Sequence, residues 1–269
     1  MKVAAIFSND CVLQRDKIID IFGTGDDGKI VEVNLSDSKG KILASNSSSV
    51  RNGKWKVSLP PQKAMNGCRL TVTCENESKE FSNVAVGEVW LCGGQSNMEF
   101  ELQNSTEGVN EMLKLPDPNV RFYYTNKISW IDDDFYKAEE NTAWQTWSSE
   151  NKKAWSAVGF FFAKKLSHEL GVTVGLIGCN WGGTSASAWM NKSFLEKDID
   201  LKTYLTEQKE AVKGKSIETQ CKEYDDYLKR DAEWNKRAQE VYAVEPKIDW
   251  NVLQDRIGKN EWPGTKSCK

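Results

Sequence analysis

The chain holds 269 residues, with 36 Lys and Arg against 39 Asp and Glu, for a net charge of −3. That balance gives no signal for nucleic acid or another polyanion, and no apolar stretch is long enough to cross a membrane. Seven cysteines without a Cys-x-x-Cys spacing indicate neither a disulfide framework nor a zinc site, and no cofactor is implied.

Residues 1–7 carry too short an apolar run for an export signal, so reduced thiols in the cytoplasm are the expectation. Residues 1–85 alternate apolar and polar side chains in short runs, as at Ile30, Val31, Glu32, Val33, Asn34 and Leu35. Turn signals recur between the runs at residues 25–28, 37–40, 51–54 and 65–67. That spacing predicts a small β-sandwich domain over 1–85. Asn52-Gly53 is a strong hairpin signal, because both residues tolerate positive φ.

The pattern changes at residue 86. The apolar run Val89, Trp90, Leu91, Cys92 leads into Gly93-Gly94-Gln95-Ser96-Asn97-Met98. It predicts a buried strand that delivers a serine into a tight turn. Two glycines let the backbone bend sharply and let a substrate approach closely. Carboxyl ends of strands are where open α/β sheets place their ligands. Ser96 is therefore the candidate nucleophile, and it needs a base to take its proton. The turn is not the Gly-x-Ser-x-Gly elbow, since Met98 stands where its last glycine would be.

A further strand is predicted over Val120–Tyr124. Asp132, Asp133 and Asp134 read as a solvated loop rather than a metal cluster, because no other ligands stand at fixed spacing. A helix is predicted from about Ser156 to Leu170, closed by Gly171. A β-branched run from Val172 to Gly178 predicts the next strand, ending in Cys179, Asn180, Trp181, Gly182, Gly183 and Thr184. Strand, helix and strand imply a right-handed crossover with both loops on one sheet edge. N–H groups of Gly182 and Gly183 would then face the Ser96 hydroxyl as an oxyanion hole, and Asn180 could add a side-chain donor. Cys92 and Cys179 read as packing residues beside these loops.

The chain's one histidine is His168. It falls between Leu166 and Leu170, which share a helix face, so it is predicted on the solvated side. It also lies near the helix end that leads into the second strand, away from the loops. Residues 191–269 are rich in Lys and Glu, with Tyr224, Tyr227, Leu228 and Trp234 at helical intervals. They predict an exposed helix or helix pair. Ile248-Asp249-Trp250 and Glu261-Trp262-Pro263-Gly264 read as a loop returning toward the sheet. A parallel sheet left unfinished there would expose apolar surface.

Gly-Gln-Ser-Asn-Met at 94–98, after Gly87-Glu88-Val89-Trp90-Leu91, resembles the first block of the sialate O-acetylesterases, a branch of the SGNH (GDSL-like) hydrolases. Trp181-Gly182-Gly183-Thr184 with Ala188-Trp189 resembles their second block. Phe7-Ser8-Asn9, Val12-Leu13-Gln14-Arg15 and Phe22-Gly23-Thr24-Gly25 resemble the leading β-domain. The resemblance implies an α/β fold: an incomplete SGNH-like parallel sheet over 86–190, preceded by the β-sandwich and followed by a helical insertion over 191–269. It implies Ser96 as nucleophile and oxyanion donor, Gly182 and Gly183 as the second donor segment, and Gln95, Asn97 and Thr184 as substrate contacts. Ser187 departs from the family's frequent glutamate at that position. The Gln-Gly-Glu block and the block supplying Asp and His do not occur, so the base and its acid partner are expected beyond residue 269. On that reading residues 1–269 alone are expected to be inactive.

Two function classes follow. One is a serine esterase removing O-acetyl groups from sialic acids or related acetylated sugars, with a small-molecule partner and no nucleic acid or membrane. The other is a non-catalytic carbohydrate-binding or interaction module, in which exposed Trp130, Trp144 and Trp147 stack on sugar rings.

Overall fold

The computed structural model describes residues 1–114, 117–128, 133–148 and 150–260. Its compact units are Met1–Gly182 and Gly183–Lys269. The first begins with β1 (Lys2–Val3), β2 (Val12–Gln14), β3 (Ile19–Thr24), β4 (Ile30–Ser36), β5 (Ile42–Ser49), β6 (Lys54–Leu59) and β7 (Met65–Cys74). The long β8 (Glu77–Gly94) follows, then β9 (Val120–Tyr124) and β10 (Val174–Asn180). Strands β1, β3 and β6 form one sheet in that order. The other sheet runs β5-β4-β7-β8-β10-β9, with β2 also paired to β8.

Period-two burial makes the sandwich. Ile19 and Ile21 on β3, and Trp55, Val57 and Leu59 on β6, are buried and meet Val31, Val33, Leu35, Leu70 and Val72 of the larger sheet in one core. Burying each such side chain contributes about 1.5–3 kcal/mol over leaving it in water. Asn52 and Gly53 both take positive φ (53° and 72°), and Arg51 and Lys54 exchange backbone hydrogen bonds of 2.8 and 3.1 Å. The predicted hairpin stops there, however: β5 pairs with β4 and β6 with β3, so the turn is a corner between the two sheets. Residues 65–67 are not a turn either. They lie in β7, where the register to β8 shifts between Met65 and Cys68 and Gly67 takes φ 70°. The extra residue is absorbed as a bulge.

Strand β8 joins the two halves of the unit. Its first part pairs antiparallel with β7, and its last part, Glu88 to Gly94, pairs parallel with β10. Residues 85 and 86, between which the sequence placed a domain boundary, lie inside this strand. The crossing is tight at Gly87, where a Cβ would stand 2.0 Å from the Thr173 carbonyl oxygen. Among the described residues, β8 past Gly87 has a strand partner only on the β10 side; Trp90 is 44% and Leu91 69% exposed.

Helix α1 (Ser96–Glu99) follows β8 directly, and α2 (Thr106–Met112) comes next. Helix α3 (Asp133–Glu140) begins at the acidic cluster. Asp133 and Asp134 thus occupy a helix's first turn, where its dipole favours anions, rather than a loop; Asp132 lies outside the described residues. Helix α4 (Ala157–Leu170) starts at Ser156, whose hydroxyl accepts from the Gly159 N–H (3.1 Å). It ends at Gly171 with φ 64°. Its inner face carries Ala157, Phe160 and Ala163, which pack with Cys92, Phe122 and Leu176. Close approach needs Gly159, where a Cβ would stand 3.0 Å from Cys92 Sγ. Leu170 is 43% exposed and does not share a buried face with Leu166; Ser167, whose hydroxyl donates to the Val172 carbonyl (2.7 Å), takes the inner position.

Two of the tryptophans expected to be exposed are not. Trp144 is 5% exposed and donates to the Ile6 carbonyl (2.7 Å). Trp147 is 2% exposed and stacks on Phe160 at 4.7 Å. Aromatic rings of this size bury more area than any other side chain, and here two cores claim them. Trp130 lies outside the described residues.

The second unit contains α5 (Lys192–Lys197), α6 (Lys202–Ala211), α7 (Ile217–Val244) and α8 (Trp250–Ile257). Trp234 and Ala238 of α7 enclose Leu253 of α8, and the Trp234 indole donates to the Gly258 carbonyl (2.5 Å). Ile248-Asp249-Trp250 is not a returning loop: Asp249 caps α8 by accepting from the Asn251 and Val252 N–H groups. Residues 261–264 lie outside the described residues. No helix among the described residues is long and apolar enough to cross a membrane.

Candidate active site at the carboxyl ends of three parallel strands

Strands β8, β10 and β9 run parallel, and Asn180 stands opposite Gly94 in register. One more bond, Trp181 N–H to the Gly94 carbonyl (3.0 Å), carries the ladder past the strand ends. The serine turn and the start of the second loop therefore emerge side by side. Gly94 takes φ 148°, outside the range of ordinary L-residues, and a Cβ there would press on Met98 Cβ at 3.3 Å. Gln95 caps α1: its side-chain oxygen accepts from the Ser96 N–H (3.2 Å) and from Ser96 Oγ (2.9 Å). The Ser96 hydroxyl is exposed, and its hydrogen-bond acceptor is an amide, not a base. Asn97 is exposed beside it. Met98 turns inward, and the Ser156 hydroxyl at the start of α4 donates to its sulfur (3.5 Å), tying α1 to the core.

Gly182 approaches closely. A Cβ on it would stand 3.6 Å from Ser96 Oγ. Its N–H, however, is donated to a carboxylate oxygen of Glu99. The other oxygen of Glu99 accepts from the Lys127 ammonium, on the segment after β9. Burial raises the Glu99 pKa, but the Lys127 hydrogen bond, the Gly182 N–H and the Lys127 charge outweigh it and hold the carboxyl below its ordinary range. Glu99 was missed in the sequence, although it stands three residues after Ser96 on the same helical turn. Lys127 had no sequence signal.

Asn180 is 4% exposed, on the sheet face it shares with Gly178 and Tyr124. Tyr124 donates its hydroxyl to the Ala154 carbonyl (3.2 Å), and burial raises its pKa. Cys92 is buried under the turn, and burial pushes its thiol up to about 11. Gly183 opens the second unit with φ 79°, and Thr184 there accepts from the Trp189 indole (2.8 Å). His168 sits exposed in the last turn of α4, which leads into the start of β10. The site lies at the other end of that strand, about 20 Å away at ~3.3 Å per residue. Among the described residues no three His, Cys, Asp or Glu side chains stand together as a metal-ligand set.

The family model for carbohydrate esterases, sialic acid-specific acetylesterases, matches residues 86–242, more than half of the chain. The chain is 28% identical to the sialate O-acetylesterase of Homo sapiens over 207 residues, covering 70% of this chain and 38% of that protein. The Pongo abelii enzyme is 28% identical over 205 residues, with the same coverage. A carbohydrate acetylesterase from Xanthomonas citri superposes with a TM-score of 0.63 at 27% identity, covering 73% of this chain and 44% of that one. The chain thus spans about two fifths of the length of the curated relatives it matches. With a matching family model over the strand, the serine turn and the second loop, the chain belongs to the carbohydrate esterase family of sialic acid-specific acetylesterases.

Proposed function

We propose that Ser96 is the nucleophile of an esterase that removes O-acetyl groups from sialic acids or related acetylated sugars. The observation that carries this reading is the exposed serine at the end of β8, with Gly182 of the adjacent strand end packed against it. In the reaction, Ser96 Oγ attacks the acetyl carbonyl while a base takes its proton, and the carbonyl oxygen becomes an oxyanion. Collapse of that intermediate releases the sugar hydroxyl, which regains the proton, and leaves an acetyl-serine. Water then cleaves it to acetate. The Ser96 N–H is one candidate oxyanion donor; it must leave Gln95 Oε1 to serve. Roles for Gly183 and Thr184 rest on the sequence alone.

The base is not His168, which sits at the opposite sheet edge. We assign it to a histidine supplied from outside residues 1–269, because a serine without a base is a weak nucleophile at neutral pH. Burial of Trp144 and Trp147 takes away two of the three stacking rings named for the binding-module alternative.

The test is Ser96→Ala in a protein that carries the whole catalytic set, assayed on an O-acetylated sialic acid. Because nucleophile and base act as a unit, turnover should fall about 10³-fold or more with the fold intact. Near-normal turnover would remove Ser96 from the mechanism.

A further inference from the structure

Three loops leave the carboxyl ends of β8, β10 and β9, and one side chain touches all of them. Glu99 belongs to the turn after β8, Gly182 follows β10, and Lys127 follows β9. Among the described residues, Oε1 of Glu99 takes the Lys127 ammonium and Oε2 takes the Gly182 N–H. Resting on the esterase reading above, we infer that Glu99 is a positioning residue that clasps the Gly182 loop against the Ser96 turn. Lys127 anchors the clasp from the third strand.

The chemistry favours this role over others. Both bonds are charge-assisted, a class roughly twice as strong as neutral hydrogen bonds. With both oxygens occupied and the carboxyl held ionised by Lys127, Glu99 is poorly placed to act as the missing base. Lys127 also offsets a negative charge that would otherwise oppose an oxyanion forming near Ser96. The fit depends on glycine at 182, because a Cβ there would stand 2.5 Å from Glu99 Oε2. Residue 182 therefore reads as glycine for the sake of the carboxylate, in addition to any approach by substrate.

The experiment uses the full 269-residue chain and the variants Glu99→Gln and Glu99→Ala. One readout is the Gly182 amide proton, by its chemical shift and its exchange with deuterium. The other is deacetylation of an O-acetylated sialic acid by the same variants in a protein that carries the whole catalytic set, with kcat and KM separated. We expect a deshielded, slowly exchanging Gly182 amide in the unsubstituted chain, lost in Glu99→Ala and kept with a smaller shift in Glu99→Gln, whose amide oxygen still accepts. In the protein with the whole catalytic set, kcat should drop about 10-fold to 100-fold in Glu99→Ala, as misplacement of a reacting group does, with rescue in Glu99→Gln and little change in KM. A Gly182 amide that does not respond to Glu99→Ala would overturn the clasp, as would a Glu99→Gln variant no better than Glu99→Ala. Should Glu99→Ala fail to fold, the isosteric Glu99→Gln decides by whether its Gly182 amide stays protected. Near-normal turnover of Ser96→Ala in that protein would sink the esterase reading instead, and the Gly182 signal would still decide the clasp.

Discussion

Gly94 shows how one residue sets the serine turn. Its φ of 148° is available to glycine and strained for anything with a Cβ, and the space beside it is taken by Met98. The turn must bend there so that Gln95 can cap α1 and present Ser96. Gly94→Ala should therefore cost about 1–3 kcal/mol, the usual price of holding a side chain in such backbone. A denaturant midpoint indistinguishable from that of the unsubstituted chain would show that the turn relaxes at no cost. Gly182 is a different case: no positive φ is involved, and its constraint is the neighbouring carboxylate. Glycine at 94 answers a backbone demand, whereas glycine at 182 answers a packing one.

Helix α4 shows the same logic for an element. Its limits were readable because both ends carry local signals, a serine hydroxyl at the start and a left-handed glycine at the finish. Its start also serves the site. The Ser156 side chain is fully buried; its oxygen accepts from Gly159 and donates to Met98 of α1. Ser156→Ala removes the cap and the link together. Loss of such a cap costs about 0.5–2 kcal/mol, which thermal unfolding should register. Hydrogen exchange should also rise in α1 more than in the far end of α4. Equal change along α4 with none in α1 would mean that the contact to Met98 carries no weight.

Within the first unit, the sandwich and the parallel strands share more than a strand. Tyr123 of β9 and Trp144 belong to the same core as Val31 and Leu70. The Arg121 guanidinium, buried, donates to the Asp10 and Asn83 carbonyls at 2.9 and 2.6 Å. Residues 1–182 should therefore unfold in one cooperative transition, with far-ultraviolet dichroism and tryptophan fluorescence coincident. Residues 1–85 expressed alone should lack a cooperative transition, because cutting there severs β8 and uncovers that core. A stable, cooperatively folding 1–85 piece would show that β8 merely passes between two independent domains.

What the sequence determined by itself is what neighbours in the chain can encode. Alternation in β4 and β6, the caps of α4, the left-handed Asn52-Gly53 pair and the glycines before Ser96 act over a few residues, so they survive reading in one dimension. The turn that carries Ser96 was legible for that reason, and so was the placement of the loop on the next parallel strand. Tertiary structure decided the rest, wherever the outcome depended on which surfaces meet. Asn52-Gly53 turns as predicted, yet its flanking strands find partners in different sheets. Trp144 and Trp147 look available for a ligand until two cores enclose them. Glu99, Lys127 and Gly182 are separated by 28 residues or more, and only the parallel pairing of β8, β10 and β9 brings them to one edge. Burial and long-range pairing are properties of the assembled surfaces, and no local pattern in the chain carries them.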